Sequence, residues 1–461
     1  INKSGGTLRF PALITVCGNW AFTAGTMDVS TNHSTIVFAK TLTISGNSHT
    51  LNNVVFEGNS NWTFTINTGT VLTVTGTLTT NGASGVFINT PVAGATAIQA
   101  QGDVLVSNTS TTGGGNGLIL INGTGSQAMT STASASQGLL PYIKIQKTAG
   151  TLTLQGAISE SRNWVWVSGN VIPTTSTVVF GGNNLSVTSA GMNFYNVAVA
   201  ANTVTLANSL TAGNNLTISG TAVLAPGANS INLAGNWTDW GNGGFTEGAS
   251  TVNLNGPALQ TVSAAGGENF TNLKVNNSGA GVRLSNNAVI GGTLTMTQGN
   301  INLNGNSLGL GSSVANKGTL IYTGGNLFGS GAFVRWFNTS TIANGSATGL
   351  FPMGTATDTR PFYVSAPAAG PSTGGTISVS YTNAMTNTVA PGFSDGAAPV
   401  AVRKDLNWSL STGNGVAGGN YNLDLQGTGF GIIGAVSDLR LTLAGRVVGT
   451  AGTNAGTIDN P

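Results

Sequence analysis

The sequence is short of charge. Of 461 residues only 15 are Lys or Arg and 13 are Asp or Glu, 6% in all, where soluble domains carry about 25%. The net charge is +2 and the basic residues stand singly, so no basic stripe follows a phosphate backbone and nucleic acid is excluded as an expected partner. The single cysteine, Cys17, cannot close an intramolecular disulfide; flanked by Thr15, Val16 and Gly18, it reads as a buried thiol in a strand. The two histidines, His33 and His49, have only Asp28 and Glu57 nearby in sequence, too thin a set for a metal site, and read as surface or turn residues. No run of about 18 apolar residues occurs, so no transmembrane helix is expected. A hydrophobic fraction of 40% still allows a large core and separates the chain from sequences that stay disordered.

Glycine is what the chain has most of, 69 residues, about twice the usual share. Residues 269–311 show how it is used. Pairs such as Leu273/Val275, Val282/Leu284, Leu294/Met296, Ile301/Leu303 and Leu308/Leu310 enclose one outward residue each, and Asn, Gly and Ser separate them. That is the period of half-buried strands punctuated by turns. The step from Leu273 to Leu294 is 21 positions, from Val282 to Ile301 19, and from Val289 to Leu308 19. Every third strand therefore returns after one near-constant length, the spacing of a β-helix coil. The many asparagines here (Asn276, Asn277, Asn286, Asn287, Asn300, Asn302, Asn304) suit turns with positive φ or amide ladders between coils.

A longer repeat overlies the coil. Asn19-Trp20, Asn163-Trp164 and Asn236-Trp237 are followed by Ser34-Thr35-Ile36, Ser176-Thr177-Val178 and Ser250-Thr251-Val252, with Asn-to-Ser distances of 15, 13 and 14. Adding a worn copy near Gly102, modules start near 19, 102, 163 and 236. The recurrent tryptophans read as packing residues. After about Ser313 the texture changes: 16 charged residues precede position 319 and 12 follow in fewer than half as many positions. Longer alternating segments around Phe333, Phe362, Ile377, Trp408, Leu423 and Leu441 replace the coil rhythm. The expected fold is all-β: an N-terminal strand segment (1–17), a parallel β-helix, or β-solenoid, of about four degenerate modules (18–318), and an antiparallel β-sandwich-like domain (319–461), with the boundary near 312–330.

The Asn-Trp, Ser-Thr-Val, Phe-Thr-Asn-Leu (270–273) and Gly-Thr-Leu-Thr (292–295) steps are followed by Leu350-Phe351-Pro352-Met353-Gly354, Thr359-Arg360-Pro361-Phe362 and Leu406-Asn407-Trp408-Ser409. This cassette resembles the large repetitive surface and secreted proteins of Bacteroidota. The resemblance covers roughly residues 18–445 and lies in repeat style, not in a catalytic signature. It implies an exported adhesin or extracellular fibre. A chain opening on Ile1, and a composition rich in Thr, Asn and Gly, fit the same extracellular or cell-surface expectation.

No residues present themselves as catalytic, cofactor-binding or metal-binding. G-x-S-x-G occurs around Ser307 and Ser394, but a nucleophile elbow needs a following helix and a histidine partner. Glu160 with Arg162, and Asp239, Glu247 and Glu268, are the acids a solenoid hydrolase or lyase could use, yet each stands apart from the next. The cluster Arg403-Lys404-Asp405 reads as a turn entering a strand. Trp166, Trp240 and Trp336 have irregular settings and are the candidate carbohydrate contacts; Leu8, Phe10, Leu13, Ile14 and Val16 form a candidate assembly strand. The expected function is thus a non-catalytic extracellular structural or adhesive protein, assembling as a homo-oligomer or filament. The alternatives are a module that binds glycans on host or neighbouring cell surfaces and, behind it, a polysaccharide hydrolase or lyase.

Overall fold

A computed structural model describes residues 1–241, 244–384, 386–429 and 439–450. Among the described residues there is no helix, and parallel stacked coils make about 15 turns of β-solenoid. The chain divides into two compact units, Ile1–Ser250 and Thr251–Pro461.

In the first unit each early coil lays short strands on three faces. Leu13–Val16, Thr35–Phe38, Asn53–Gly58, Leu78–Gly82 and Val104–Val106 pair in parallel along one face. Trp20–Phe22, Leu42–Gly46, Trp62–Ile66 and Val86–Asn89 line a second. His49–Leu51, Leu72–Val74, Thr96–Ala100 and Leu118–Ile121 line a third. The step per coil is 18 residues from Thr35 to Asn53 and 26 from Leu78 to Val104. The core spacing is thus held while the corners absorb insertions. Alternation is strict: Ile36 and Phe38 are fully buried between half-exposed Thr35 and Val37. Close stacking at corners requires glycine where no side chain fits; a Cβ on Gly102 would lie 1.9 Å from the carbonyl oxygen of Gly76.

The asparagine corners are the recurrent polar device. Asn19 Oδ1 accepts the Thr43 N–H (2.9 Å), Asn53 that of Thr77 (2.8 Å), Asn61 that of Gly85 (2.7 Å) and Asn163 that of Ser186 (2.9 Å). Asn196, Asn215 and Asn236 form a continuous run: Asn196 Oδ1 takes the Asn215 N–H (3.2 Å) and Asn215 Oδ1 the Asn236 N–H (2.9 Å). A side-chain amide here replaces the carbonyl that a ladder would supply, at a corner where the backbone turns away. The long repeat follows from this device. Asn19 and Asn163 accept the bond from the next coil and Asn236 donates its N–H to the coil before, while the following Trp enters the core, leaving Trp20 8%, Trp164 0% and Trp237 0% exposed. The matching Ser34, Ser176 and Ser250 are buried and close turns with backbone bonds to Val29, Pro173 and Glu247.

The second unit begins with the same construction. Gln260–Ala264, Val282–Leu284, Ile301–Asn302 and Leu327–Phe328 form one parallel row, and Thr251–Leu254, Glu268–Asn276, Ala288–Gln298, Asn306–Leu310 and Gly331–Phe337 another. Leu273 pairs with Leu294 and Val282 with Ile301, as the spacing predicts. The third step differs: Ala288, not Val289, pairs with Leu308, and Val289 is 37% exposed between buried Ala288 and Ile290. Of the seven asparagines singled out in this stretch, Asn304 alone has positive φ, 52°. Asn287 and Asn300 instead accept N–H groups from Ser307 and Asn326 (2.9 and 2.8 Å).

Gly331–Phe337 is the strand where the pairing changes sense. It pairs in parallel with Asn306–Leu310 and antiparallel with Gly375–Thr382, which pairs antiparallel with Asn407–Gly413. The change falls later in the chain than the shift in composition at 312–330. A second antiparallel sheet, Leu350–Phe351, Phe362–Ser365 and Asn422–Leu425, packs against it through Phe351, whose ring lies 6.3 Å from Phe337 and 5.7 Å from Phe333. Arg335 is 4% exposed there, its guanidinium 5.7 Å from the Phe351 centroid and donating to the carbonyls of Ala347 (2.9 Å) and Leu350 (2.5 Å). Burial away from any carboxylate lowers its pKa to about 9. Antiparallel sheets are present at the C-terminal end, and a buried cation marks the strand where they begin.

Asn215→Ala should remove one inter-coil acceptor and cost about 1 kcal/mol locally, while Asn215→Asp, which keeps an acceptor, should cost less. The measurement is hydrogen exchange at the Asn236 amide; unchanged protection in Asn215→Ala would refute the corner role.

Candidate functional site

Three kinds of feature could act on a partner: acids, exposed aromatics and open strand edges. The acids are turned inward. Glu160 is fully buried, and its Oε1 accepts the Arg162 N–H at 3.2 Å. Burial pushes its pKa well up, against the weaker pull of Arg162. Asp239 is 3% exposed and accepts the Gly241 N–H (2.8 Å); burial raises its pKa as well. Glu268 is 6% exposed and accepts the Asn269 N–H (3.0 Å). Glu247 is half-buried. Ser307 lies inside the strand Asn306–Leu310, its N–H bound to Asn287, and Ser394 lies in the short strand Ser394–Asp395. Asp405 is held by the hydroxyls of Thr386 and Thr388 (2.9 and 2.7 Å) and by Arg403 (3.3 Å), contacts that lower its pKa.

Two readings of lone residues are corrected. Cys17 is exposed, following Leu13–Val16, which pairs with Thr35–Phe38 alone among the described residues. His49 is 7% exposed, not a surface residue: Trp20 Nε1 donates to its Nε2 (2.9 Å), and its Nδ1 lies 2.8 Å from the Asn47 carbonyl. The pair of bonds assigns the proton to Nδ1. His33 does sit exposed in a turn, with φ of 44°.

The tryptophans are not gathered into one platform. Trp166 is half-buried, donates to the Gly169 carbonyl (3.0 Å) and lies over Gly191, where a Cβ would come within 2.7 Å of its ring. Trp240 is 62% exposed. Trp336 is half-buried on Gly331–Phe337, opposite Thr376. Neither Trp166 nor Trp240 makes a ring contact among the described residues.

The candidate assembly residues fall into two groups. Leu8 lies on Asn2–Arg9, paired in parallel with Ala24–Asp28, and Phe10 is 4% exposed, edge-on to Trp20 at 6.1 Å. Phe10 therefore closes the first coil from within. Leu13, Ile14 and Val16 lie on Leu13–Val16, which among the described residues pairs only with Thr35–Phe38. Leu13 is 61% exposed, and Ile14 and Val16, opposite fully buried Ile36 and Phe38, are half-exposed. Thr35 N–H donates to the Ala12 carbonyl (2.8 Å) and Ala39 N–H to that of Val16 (2.9 Å). In a regular parallel ladder this phase turns the N–H and C=O of Leu13 and Thr15 to the open side. One sheet of the second unit also ends on an edge strand: Asn407–Gly413 pairs only with Gly375–Thr382 among the described residues, and its Leu410 is 42% exposed.

These stacked parallel coils define a β-solenoid repeat protein. Family models, curated proteins and solved structures contain no match to the chain. No helix among the described residues is long and apolar enough to cross a membrane.

Burial holds the His49 pKa below its ordinary 6.5, with the Asn47 carbonyl pulling the other way. The unfolded chain therefore takes up a proton first on acidification, and stability should fall as pH drops through 6.5 toward the folded pKa. Protonation would also set Nε2–H against the Trp20 N–H. His49→Gln keeps an acceptor and should flatten that window, read from the denaturation midpoint against pH. An equal slope in wild type and variant would contradict the assignment.

Proposed function

We propose that this is a non-catalytic structural or adhesive protein of the cell surface or extracellular space that assembles end to end through its strand edges. The observation that carries the reading is the pair of open edges, Leu13–Val16 in the first unit and Asn407–Gly413 in the second. Edge strands are templates for adding another chain, and soluble monomers blunt them with charge, proline or bulges. Leu13–Val16 carries none of these. Adding Asn407–Gly413 of a second copy would pair the outward groups of Leu13 and Thr15 and cover the half-exposed Ile14 and Val16. Repetition of that heterologous contact propagates a filament.

The low charge supports the same reading, since a surface with few like charges offers little repulsion to self-association. A glycan contact is the second reading, favoured by Trp240 with 62% of its surface exposed. The hydrolase or lyase reading has no exposed pair of acids in its favour among Glu160, Asp239 and Glu268.

Thr15→Pro removes an outward N–H and leaves the bonds to Thr35–Phe38 in place. Wild type should sediment as assemblies that grow with concentration, and Thr15→Pro should stay monomeric with an unchanged melting profile. Wild-type-like assembly by the variant would reject the edge contact.

A further inference from the structure

The second unit holds a cleft of about 340 Å³ that none of the features above uses. Its walls are Phe328, Gly329 and Ser330 on one side, Gly354, Thr355 and Ala356 on another, and Tyr381, Thr382 and Asn383 on the third. That volume is at the lower end of ligand-sized sites. The lining has hydroxyls, an amide, backbone and two aromatic rings, with no charged side chain.

One wall is unusually well fixed. Arg360, with no exposed surface, donates through Nε to the Tyr381 hydroxyl at 3.1 Å, and the Tyr381 hydroxyl donates to Asn383 Oδ1 at 2.7 Å. Trp408 packs on Tyr381 with ring centroids 5.2 Å apart and donates to the Arg360 carbonyl at 3.0 Å. The Tyr381 ring is 7% exposed, and burial raises its pKa, so the phenol stays neutral. This relay sets the orientation of the Asn383 amide. With Oδ1 occupied by Tyr381, Nδ2 is the group left to donate, and it makes no bond to protein among the described residues. Thr382 and Asn383 are exposed at the rim, as is Ser330, while Phe328 offers a half-exposed ring.

The opposite wall is also braced. Asn326, 5% exposed, donates through Nδ2 to the carbonyls of Thr355 (3.0 Å) and Asp358 (3.1 Å), and Asn300 donates to that of Ala356 (2.8 Å). Neutral donors and acceptors on rigid supports, beside an apolar ring, complement a neutral ligand that has many hydroxyls and one C–H face. We infer that this cleft binds a neutral sugar unit, with Asn383 Nδ2 and the hydroxyls of Ser330 and Thr382 meeting its hydroxyls and the half-exposed Phe328 ring its C–H face. The inference is independent of edge-to-edge assembly, and a monomeric protein could bind equally well.

The test is a glycan array probed with the full chain, followed by calorimetry on the best hits. The probes are neutral oligosaccharides built from glucose, galactose, mannose or xylose, and matched uronic-acid oligosaccharides. Neutral oligosaccharides should bind and the uronates should not. Asn383→Ala, which removes the Nδ2 donor and the acceptor of the Tyr381 hydroxyl but leaves the Arg360 bond to that hydroxyl, should weaken binding roughly tenfold, the loss of about one good hydrogen bond. Trp240→Ala should leave binding unchanged. The inference is overturned if no neutral oligosaccharide binds wild type, if uronates bind better, or if Asn383→Ala with an unchanged melting profile binds as wild type. Loss of binding in Trp240→Ala would likewise overturn it, by placing the sugar contact in the first unit.

Discussion

Everything in this protein depends on a hydrogen-bond ladder that runs from coil to coil. A single coil of two or three strands has half its backbone groups unpaired and its inner face uncovered; only a neighbour of matching geometry corrects both. This explains why Leu, Ile, Val and Phe recur at alternate positions, and why coil length varies from 18 residues after Thr35 to 26 after Leu78 without disturbing the register. Corners are where the ladder would fail. There the asparagines from Asn19 to Asn300 lend a side-chain oxygen to the next coil, and glycines such as Gly102 let backbones meet.

The same constraint shapes the use of charge. Lys147 is 2% exposed and donates to the carbonyls of Gly123 and Gly125 (the latter at 3.0 Å) and to Gln127 Oε1 at 2.6 Å. Arg335 and Arg360 likewise point into carbonyl oxygens, and the carboxyl of Glu160 is buried against a backbone N–H. A buried cation costs several kcal/mol unless its donors are satisfied. Lys147 meets this with three oxygen acceptors, whereas Arg335 satisfies Nη1 at two carbonyls and leaves Nε without a partner among the described residues. Several of the chain's few charges are therefore structural, which leaves the outer surface still more neutral than the composition indicates.

How much of this was legible follows from which signals are local. The coil step was readable from Leu273, Leu294, Val282 and Ile301 because inward residues in parallel coils repeat in register. Val289 misled because Ala288-Val289-Ile290 is apolar throughout, and period two cannot choose a face from such a run. The Asn-Trp and Ser steps were readable as equivalent, and their burial accounts for the equivalence. Side-chain hydrogen-bond partners on other coils were not. His49 is inside because Trp20 offers it a donor across 29 residues, and Cys17 is exposed next to Leu13–Val16, which has a strand partner on one side among the described residues. The cleft in the second unit, built from three separated segments and a buried arginine, left no mark in the sequence.

Among the described residues the ladder pairs Leu13–Val16 on one side alone, and that edge is the centre of the functional account. Electron cryo-microscopy of the purified wild-type chain tests it most directly. The account predicts unbranched filaments in which density for a strand of the next copy lies about 4.8 Å from Leu13–Val16. Dispersed single particles at every concentration, or filaments in which Leu13–Val16 faces solvent, would contradict it.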